Sequence, residues 1–308
     1  MEICVQSGGL VEHVGAKKGY ALIKEAGFTG IDWNGLDNTL PPTDIRGFDY
    51  VGKSVLEKSL DEVIAYFADE IAEIRKNGLT VSQAHAPFPA YVSGHPEIQE
   101  FMINIYRRCI EMCEYVGCKN LVIHSTSYTL KDDVNTPEAI EKLNMELYEA
   151  LIPTLVKTNV TVCLENLFFF DEVANEGVCS NPYEAVKYID ALNAKAGKEC
   201  FGLCLDTGHL ALLHKDFRTY VPILGKRIKA LHIHDNDGVR DLHVAPLTGK
   251  VKWNNFLESL KKIGYDGDLS FETFMQTRRA LEVDEELVLP WLQVIYRMGE
   301  CFRKHITQ

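Results

Sequence analysis

The stretch Phe201-Gly-Leu-Cys-Leu-Asp206 decides the reading of this chain. It is a short apolar run with strand character that stops at a carboxylate. Three further runs end the same way: Val160-Thr-Val-Cys-Leu-Glu165, Ile228-Lys-Ala-Leu-His232 and Asp268-Leu-Ser-Phe-Glu272. A buried strand tolerates such an end residue only when that residue has a partner. Four at equivalent positions point to a common partner. Three carboxylates with one imidazole suit a divalent cation.

Working outward, strand-like and helix-like patterns alternate eight times along the 308 residues. Strand patterns cover Glu2–Gln6, Gly30–Trp33, Thr80–Ala84 and Asn120–His124, followed by the four runs above. Helix patterns cover Ala16–Ala26, Leu60–Asn77, Pro96–Val116, Pro137–Thr158, a segment opened by Pro182, Phe217–Leu224, Trp253–Ile263 and Glu285–Lys304. Asn77-Gly78, Gly117 and Gly264 are helix stops, and Pro137 and Pro182 suit a first helical turn. A longer loop with Pro41, Pro42 and Gly47 follows the second strand. Repeated βα units demand a parallel sheet, and eight of them close into a barrel. The expected fold class is therefore α/β, a (β/α)8 TIM barrel, with residues 1–308 as one domain. An open doubly wound sheet would show a glycine-rich phosphate loop after its first strand, and Ser7-Gly-Gly-Leu is a weak version of one. In such barrels the C-terminal strand ends form the active-site face. The four residues sit there, and so do His85 and His124.

Composition narrows the function. The apolar fraction of 46% supports a large core, and the net charge of −12 lowers the expectation of a nucleic-acid partner. No apolar run has the length of a membrane span, and Met1-Glu-Ile-Cys-Val carries no secretory pattern. The nine scattered cysteines contain no C-x-x-C pair, which reads as reduced core thiols of a cytoplasmic protein.

Several motifs add candidate residues. In Leu205-Asp-Thr-Gly-His209 the glycine permits a tight turn that brings Asp206 and His209 to one small site. A lone histidine in a turn is usually structural, and the combination is what marks this one as functional. In Leu231-His-Ile-His-Asp-Asn-Asp-Gly238, His232 and His234 point to the same face of a strand. His234 reads either as a core histidine bonded to a carbonyl or as an additional ligand. Asp241-Leu-His243 lies in a long loop and reads either as solvated or as a further metal or substrate contact. Trp33 reads as a wall of a sugar site or as packing.

These residues resemble the xylose isomerase-like barrel superfamily, which contains sugar isomerases, ketose 3-epimerases, inosose dehydratases and endonuclease IV. The resemblance implies a metal quartet of Glu165, Asp206, His232 and Glu272 at the ends of the fifth to eighth strands. It implies a metal-dependent isomerase or epimerase acting on a small sugar, sugar phosphate or polyol. A proton would leave the carbon beside a carbonyl to give an enediolate that the cation stabilises. Glu165 and Glu272 would be the catalytic pair. His209, Arg240, Trp33, His85 and His124 are the expected substrate contacts. Mn²⁺ or Zn²⁺ is the favoured ion, and Mg²⁺ and Co²⁺ suit the same donors. An inosose dehydratase-like lyase uses the same enolisation. Endonuclease IV binds three zinc ions, with proposed counterparts His85, His124, Glu165, Asp206, His209, His232, Asp241, His243 and Glu272. Two departures stand out. Ketose 3-epimerases carry a polar segment where this chain has Asn166-Leu-Phe-Phe-Phe-Asp171. They place an Arg where this chain has Gly238, with Arg240 two residues later. The expected partners are a small sugar or polyol and, in a homo-oligomer, further copies of the chain, with no nucleic acid and no membrane.

Overall fold

The structure is a computed structural model that describes residues 1–40, 51–92, 94–126 and 136–308. The expected loop around Pro41, Pro42 and Gly47 lies outside the described residues. The strands in chain order are β1 (Ile3–Gln6), β2 (Gly30–Trp33), β3 (Thr80–His85), β4 (Asn120–Val122), β5 (Thr161–Glu165), β6 (Phe168–Asp171), β7 (Val173–Glu176), β8 (Phe201–Asp206), β9 (Ile228–His232) and β10 (Leu269–Phe271). Eight of them form one parallel sheet in the order β10-β1-β2-β3-β4-β5-β8-β9. Its two ends meet where Ile233 N–H donates to Ser270 O and Glu272 N–H donates to Ile233 O, at 2.9 and 3.1 Å. Helices lie between successive strands, so the expected TIM barrel is the fold.

Strand parity explains the placement of side chains. Val162, Leu164, Leu203, Leu205, Leu231, Leu269 and Phe271 join the large apolar core under the helices. Their neighbours Cys163, Cys204 and Ala230 form, with Val122 of β4, a separate small cluster. Successive residues of a strand face opposite sides, so this second cluster is the barrel interior. Two residues further along each strand stand His124, Glu165, Asp206 and His232. They lie one layer above small apolar residues, at the C-terminal rim.

Helices Ala16–Ala26, Pro96–Val116, Phe217–Leu224 and Trp253–Ile263 have the expected bounds. The expected Leu60–Asn77 helix is two helices, Leu60–Tyr66 and Ala68–Lys76, because Phe67 at φ −90° and ψ 4° leaves helical geometry. The helix from Pro137 ends at Glu149, and a short turn of helix follows over Ile152–Leu155. Pro153 lacks the N–H needed to continue the first helix. Among the described residues no helix is long and apolar enough to cross a membrane.

Candidate active site

Four strand ends converge on one imidazole nitrogen. His232 Nδ1 lies 3.1 Å from Glu165 Oε1, 3.5 Å from Glu272 Oε2 and 3.9 Å from Asp206 Oδ2. All four residues are buried, Glu272 the least so at 8% exposure. Three carboxylates packed this tightly call for a shared positive charge or a shared proton. In the protein alone that charge comes from protons on the histidines. Burial works against a proton on His232, yet the Cys204, Glu272 and Glu165 side chains hold its pKa well above the ordinary value. Burial likewise opposes ionisation of Glu165 and Glu272, and the neighbouring imidazoles, His232 foremost, hold both carboxyls well below the usual range.

A second group flanks this one. His124 Nε2 lies 2.7 Å from Glu165 Oε2 and 3.0 Å from His85 Nε2. His85 Nδ1 stands 2.8 Å from Ala86 O. A carbonyl only accepts, so Nδ1 carries the proton and Nε2 keeps its lone pair. Burial and then the neighbouring His124 lower the pKa of His85, which favours that neutral form.

A third group lies on the other side. Asp241 Oδ2 is 2.8 Å from His243 Nε2 and 3.6 Å from His209 Nε2. His243 Nδ1 is 3.3 Å from Glu272 Oε2. His209 donates Nδ1–H to Asn166 O at 3.0 Å. Burial disfavours its charge, but Asp206 and Asp241 overcome that and raise its pKa to about 10. His243 takes φ 45°, in the left-handed region, a conformation that persists only where its surroundings impose it. The restraint comes from Asp235, which is wholly buried. Its Oδ1 accepts from Val251 N at 2.9 Å, and its Oδ2 accepts from Gly249 N at 3.0 Å and Trp253 Nε1 at 2.9 Å. This carboxylate folds back the loop that carries Asp241 and His243.

His234 is fully buried, and its Nε2 lies 2.9 Å from Asp206 Oδ2, not beside a carbonyl. Its ring stacks on His243 with centroids 4.0 Å apart and planes 11° apart. The ring occupies the space beside Gly208, where an added Cβ would fall 2.0 Å from His234 Cε1. Gly208→Ala is therefore expected to displace His234 and lower stability by about 1–3 kcal/mol. Denaturant melts of the variant check this, and an unchanged midpoint would show that the ring can move aside.

The donor set fits divalent cations. Nitrogen and oxygen donors fall into overlapping groups, His85–His124–Glu165, Glu165–Asp206–His209, Asp206–His234–Glu272 and His209–His234–Asp241–His243. Within them Asp241 Oδ1 and His234 Nδ1 are buried without a hydrogen-bond partner. Such orphaned atoms are costly in a fold unless a ligand answers them.

A cavity of about 580 Å³ opens over these groups. Its floor includes Glu165, His209, His232, Asp241, His243 and Glu272, and Phe88, Phe168 and Phe274 wall it. Gln6, Asn34 and Asp37 also line it, though no sequence motif marks them. Gln6 could have been found by the strand-end rule applied to β1; it donates Nε2–H to Glu272 Oε1 at 3.2 Å. Phe168 comes from a hairpin of β6 and β7 and meets His209 edge-on at 4.8 Å.

Two expected substrate contacts are corrected. Trp33 follows the inward Asp32, so it faces the helices. It is fully buried against Phe67 at 5.1 Å and donates Nε1–H to Glu70 Oε1 at 3.1 Å. Arg240 is exposed and pairs with Asp237 at 2.7 Å. Asp237 Oδ1 accepts from Val239 N and Arg240 N at 3.0 and 2.7 Å, a turn that keeps Arg240 beside Asp237 and off the cavity lining.

This barrel, with its polar rim, matches the profile of the xylose isomerase-like TIM barrel over residues 20–293, and the chain belongs to that family. It is similar to an uncharacterised protein, y4fM, of Sinorhizobium fredii, with 26% identity over 85% of this chain and 82% of that one. A probable endonuclease 4 of Mycoplasma pneumoniae is 24% identical over 60% of this chain and 63% of its own. The solved D-psicose 3-epimerase with D-tagatose from Clostridium cellulolyticum H10 superposes with a TM-score of 0.71, at 14% identity over 98% of this chain and 99% of that one.

Proposed function

We propose that the protein is a divalent-metal-dependent isomerase or epimerase of a small sugar or polyol, working by proton transfer beside a carbonyl. The observation that carries this is His232 Nδ1 facing three carboxylates below a cavity of about 580 Å³, roomy enough to admit a small sugar. Glu165, Asp206, His232 and Glu272 would hold the cation, Mn²⁺ or Zn²⁺ by preference. Bound there, the ion supplies Lewis-acid polarisation of the substrate oxygens. Glu165 and Glu272 reach the cavity from separate strands. In the metal-free protein the protonated imidazoles around them hold both carboxyls below the usual range, so both are carboxylates there. One carboxylate takes the proton from carbon; the other, having taken a proton from solvent, delivers it to the opposite face, and the first gives its proton back to solvent. His209 and the pair His85–His124 orient substrate hydroxyls. Phe88, Phe168 and Phe274 exclude water from the reacting carbon. No Lys or Arg is among the described lining residues. Phosphate recognition normally relies on such cations, so an unphosphorylated sugar fits better. The cysteine usage supports a cytoplasmic setting.

A second reading, phosphodiester hydrolysis, is favoured because eight of the nine proposed counterparts of the endonuclease IV ligands line this cavity, with Asp206 beside His232 just beneath. On that reading His209, Asp241 and His243, and His85 with His124, take further cations, with His234 in support. One experiment separates the readings. Metal-loaded protein is incubated in D₂O with a panel of ketoses, and in parallel with a duplex containing an abasic site. Deuterium on a carbon-bound position of one ketose, with the duplex intact, is the expected outcome. Efficient nicking without exchange into any ketose would reverse the assignment. Loss of water from a ketose, with exchange, would move it to a dehydratase.

A further inference from the structure

Asp32 has no role in the reaction outlined above, yet it is a carboxylate at 1% exposure inside the barrel. A buried carboxylate is retained only with a partner. Among the described residues its ion-pair contact is His232 Nε2, 3.4 Å from Asp32 Oδ2, a charge contact without hydrogen-bond geometry that leaves His232 Nε2 buried and without a hydrogen-bond partner. Gln83 fixes that oxygen from β3. Its Nε2 donates to Asp32 Oδ2 at 2.8 Å and to Leu231 O at 3.2 Å, so a single amide ties Asp32 to the residue before His232. The result is a line across the barrel from β2 to β9. Asp32 faces one nitrogen of the ring, and Glu165, Asp206 and Glu272 surround the other.

A neutral imidazole carries its hydrogen on one nitrogen only, and the partner of that nitrogen decides which. A carboxylate at Nε2 draws the hydrogen there and leaves the lone pair on Nδ1. We propose that Asp32 is a positioning residue of the metal centre: it holds His232 as the Nε2–H tautomer, so that Nδ1 presents its lone pair to a cation shared with Glu165, Asp206 and Glu272. Outer partners of this kind orient ligating histidines and raise their basicity. The proposal rests on the reading of His232 as a ligand. It is independent of which sugar or reaction the site serves.

The test uses the full chain and its Asp32→Ala, Asp32→Asn and His232→Ala variants, each first melted to establish folding. Zn²⁺ is titrated calorimetrically into the metal-stripped proteins. Histidine ¹⁵N resonances are then recorded for the Zn²⁺-loaded forms. Asp32→Ala is expected to bind Zn²⁺ about 10–100-fold more weakly than the parent. Asp32→Asn keeps an oxygen that accepts from Nε2–H and should lie between the two. The parent should show a slowly exchanging Nε2–H proton on His232, shifted downfield by the carboxylate, and Asp32→Ala should lose that shift. Parent-like Zn²⁺ affinity in Asp32→Ala, with unchanged His232 nitrogen shifts, would overturn the role of Asp32 alone. Equal affinity in the parent and His232→Ala would instead remove His232 from the ligand set, and the proposal with it.

Discussion

Glu272→Gln is expected to lower exchange of the substrate's carbon-bound proton with D₂O by about 10²–10⁴-fold, the span typical of a lost general base. The amide keeps a coordinating carbonyl oxygen and the shape of the carboxylate, so some metal should stay bound and substrate should still enter. Glu272 Oε1 accepts from Gln6 and its Oε2 faces His232 and His243, contacts that an amide only partly reproduces. Exchange at the parent rate with full metal occupancy would move the proton chemistry to Glu165 alone or to a histidine such as His209. A His232 variant should behave differently, losing metal and recovering part of its exchange activity when metal is supplied in excess.

The second large effect concerns pH. Without metal, burial opposes the charge on His209, but Asp206 and Asp241 lift its pKa from 6.5 to about 10. A folded-state pKa above the unfolded value stabilises the protein fully below pH 6.5, and that contribution fades as the pH rises through about 10. It amounts to several kcal/mol. Metal-stripped protein should therefore melt lower at pH 9 than at pH 6. Metal-loaded protein should show the opposite trend, because a cation competes with protons for the same nitrogens and its affinity rises with pH. Melting both forms across that range tests the claim, and parallel curves would refute it. Glu165→Gln or Asp206→Asn should lower metal content while the barrel stays folded, and should narrow the difference between the two curves.

The barrel was readable because its strands are buried on both sides and its helices carry clear stops. Gly117 and Gly264 end their helices in left-handed conformations at φ 79° and 65°. The β6–β7 hairpin was not foreseen. Its turn runs through Glu172 at φ 60°, with no glycine or asparagine to announce it, and Phe168-Phe-Phe170 reads simply as an apolar run. The helix Phe274–Val283 was also unforeseen; it follows the last strand directly, without a side-chain cap.

At the site, strand ends mark the four residues together with His85 and His124, and the same inward parity extends to Gln6 and Asp32, the latter masked in the sequence by its larger neighbour Trp33. Arg240 illustrates the opposite error, in which a loop residue chosen by type pairs locally with Asp237. Loop side chains lack the parity that fixes strand side chains, so sequence carries little information about where they point.

Asp206 also serves as the N-cap of the short helix Thr207–Leu212. Its Oδ1 accepts from His209 N at 2.7 Å, while Oδ2 lies 2.9 Å from His234 Nε2. Both oxygens are thus held by the fold, one of them by the first turn of a helix. The rotamer of this carboxylate is selected when the chain folds and is not left to be chosen when a cation arrives. Its share of the ordering entropy belongs to folding, so the proposed ion capture at Asp206 would proceed on a preorganised ligand. With a cation held as proposed, the helix cap and the coordination sphere would be thermodynamically linked: loosening the first turn of Thr207–Leu212 would weaken the grip on the ion, and the ion would in turn secure that turn.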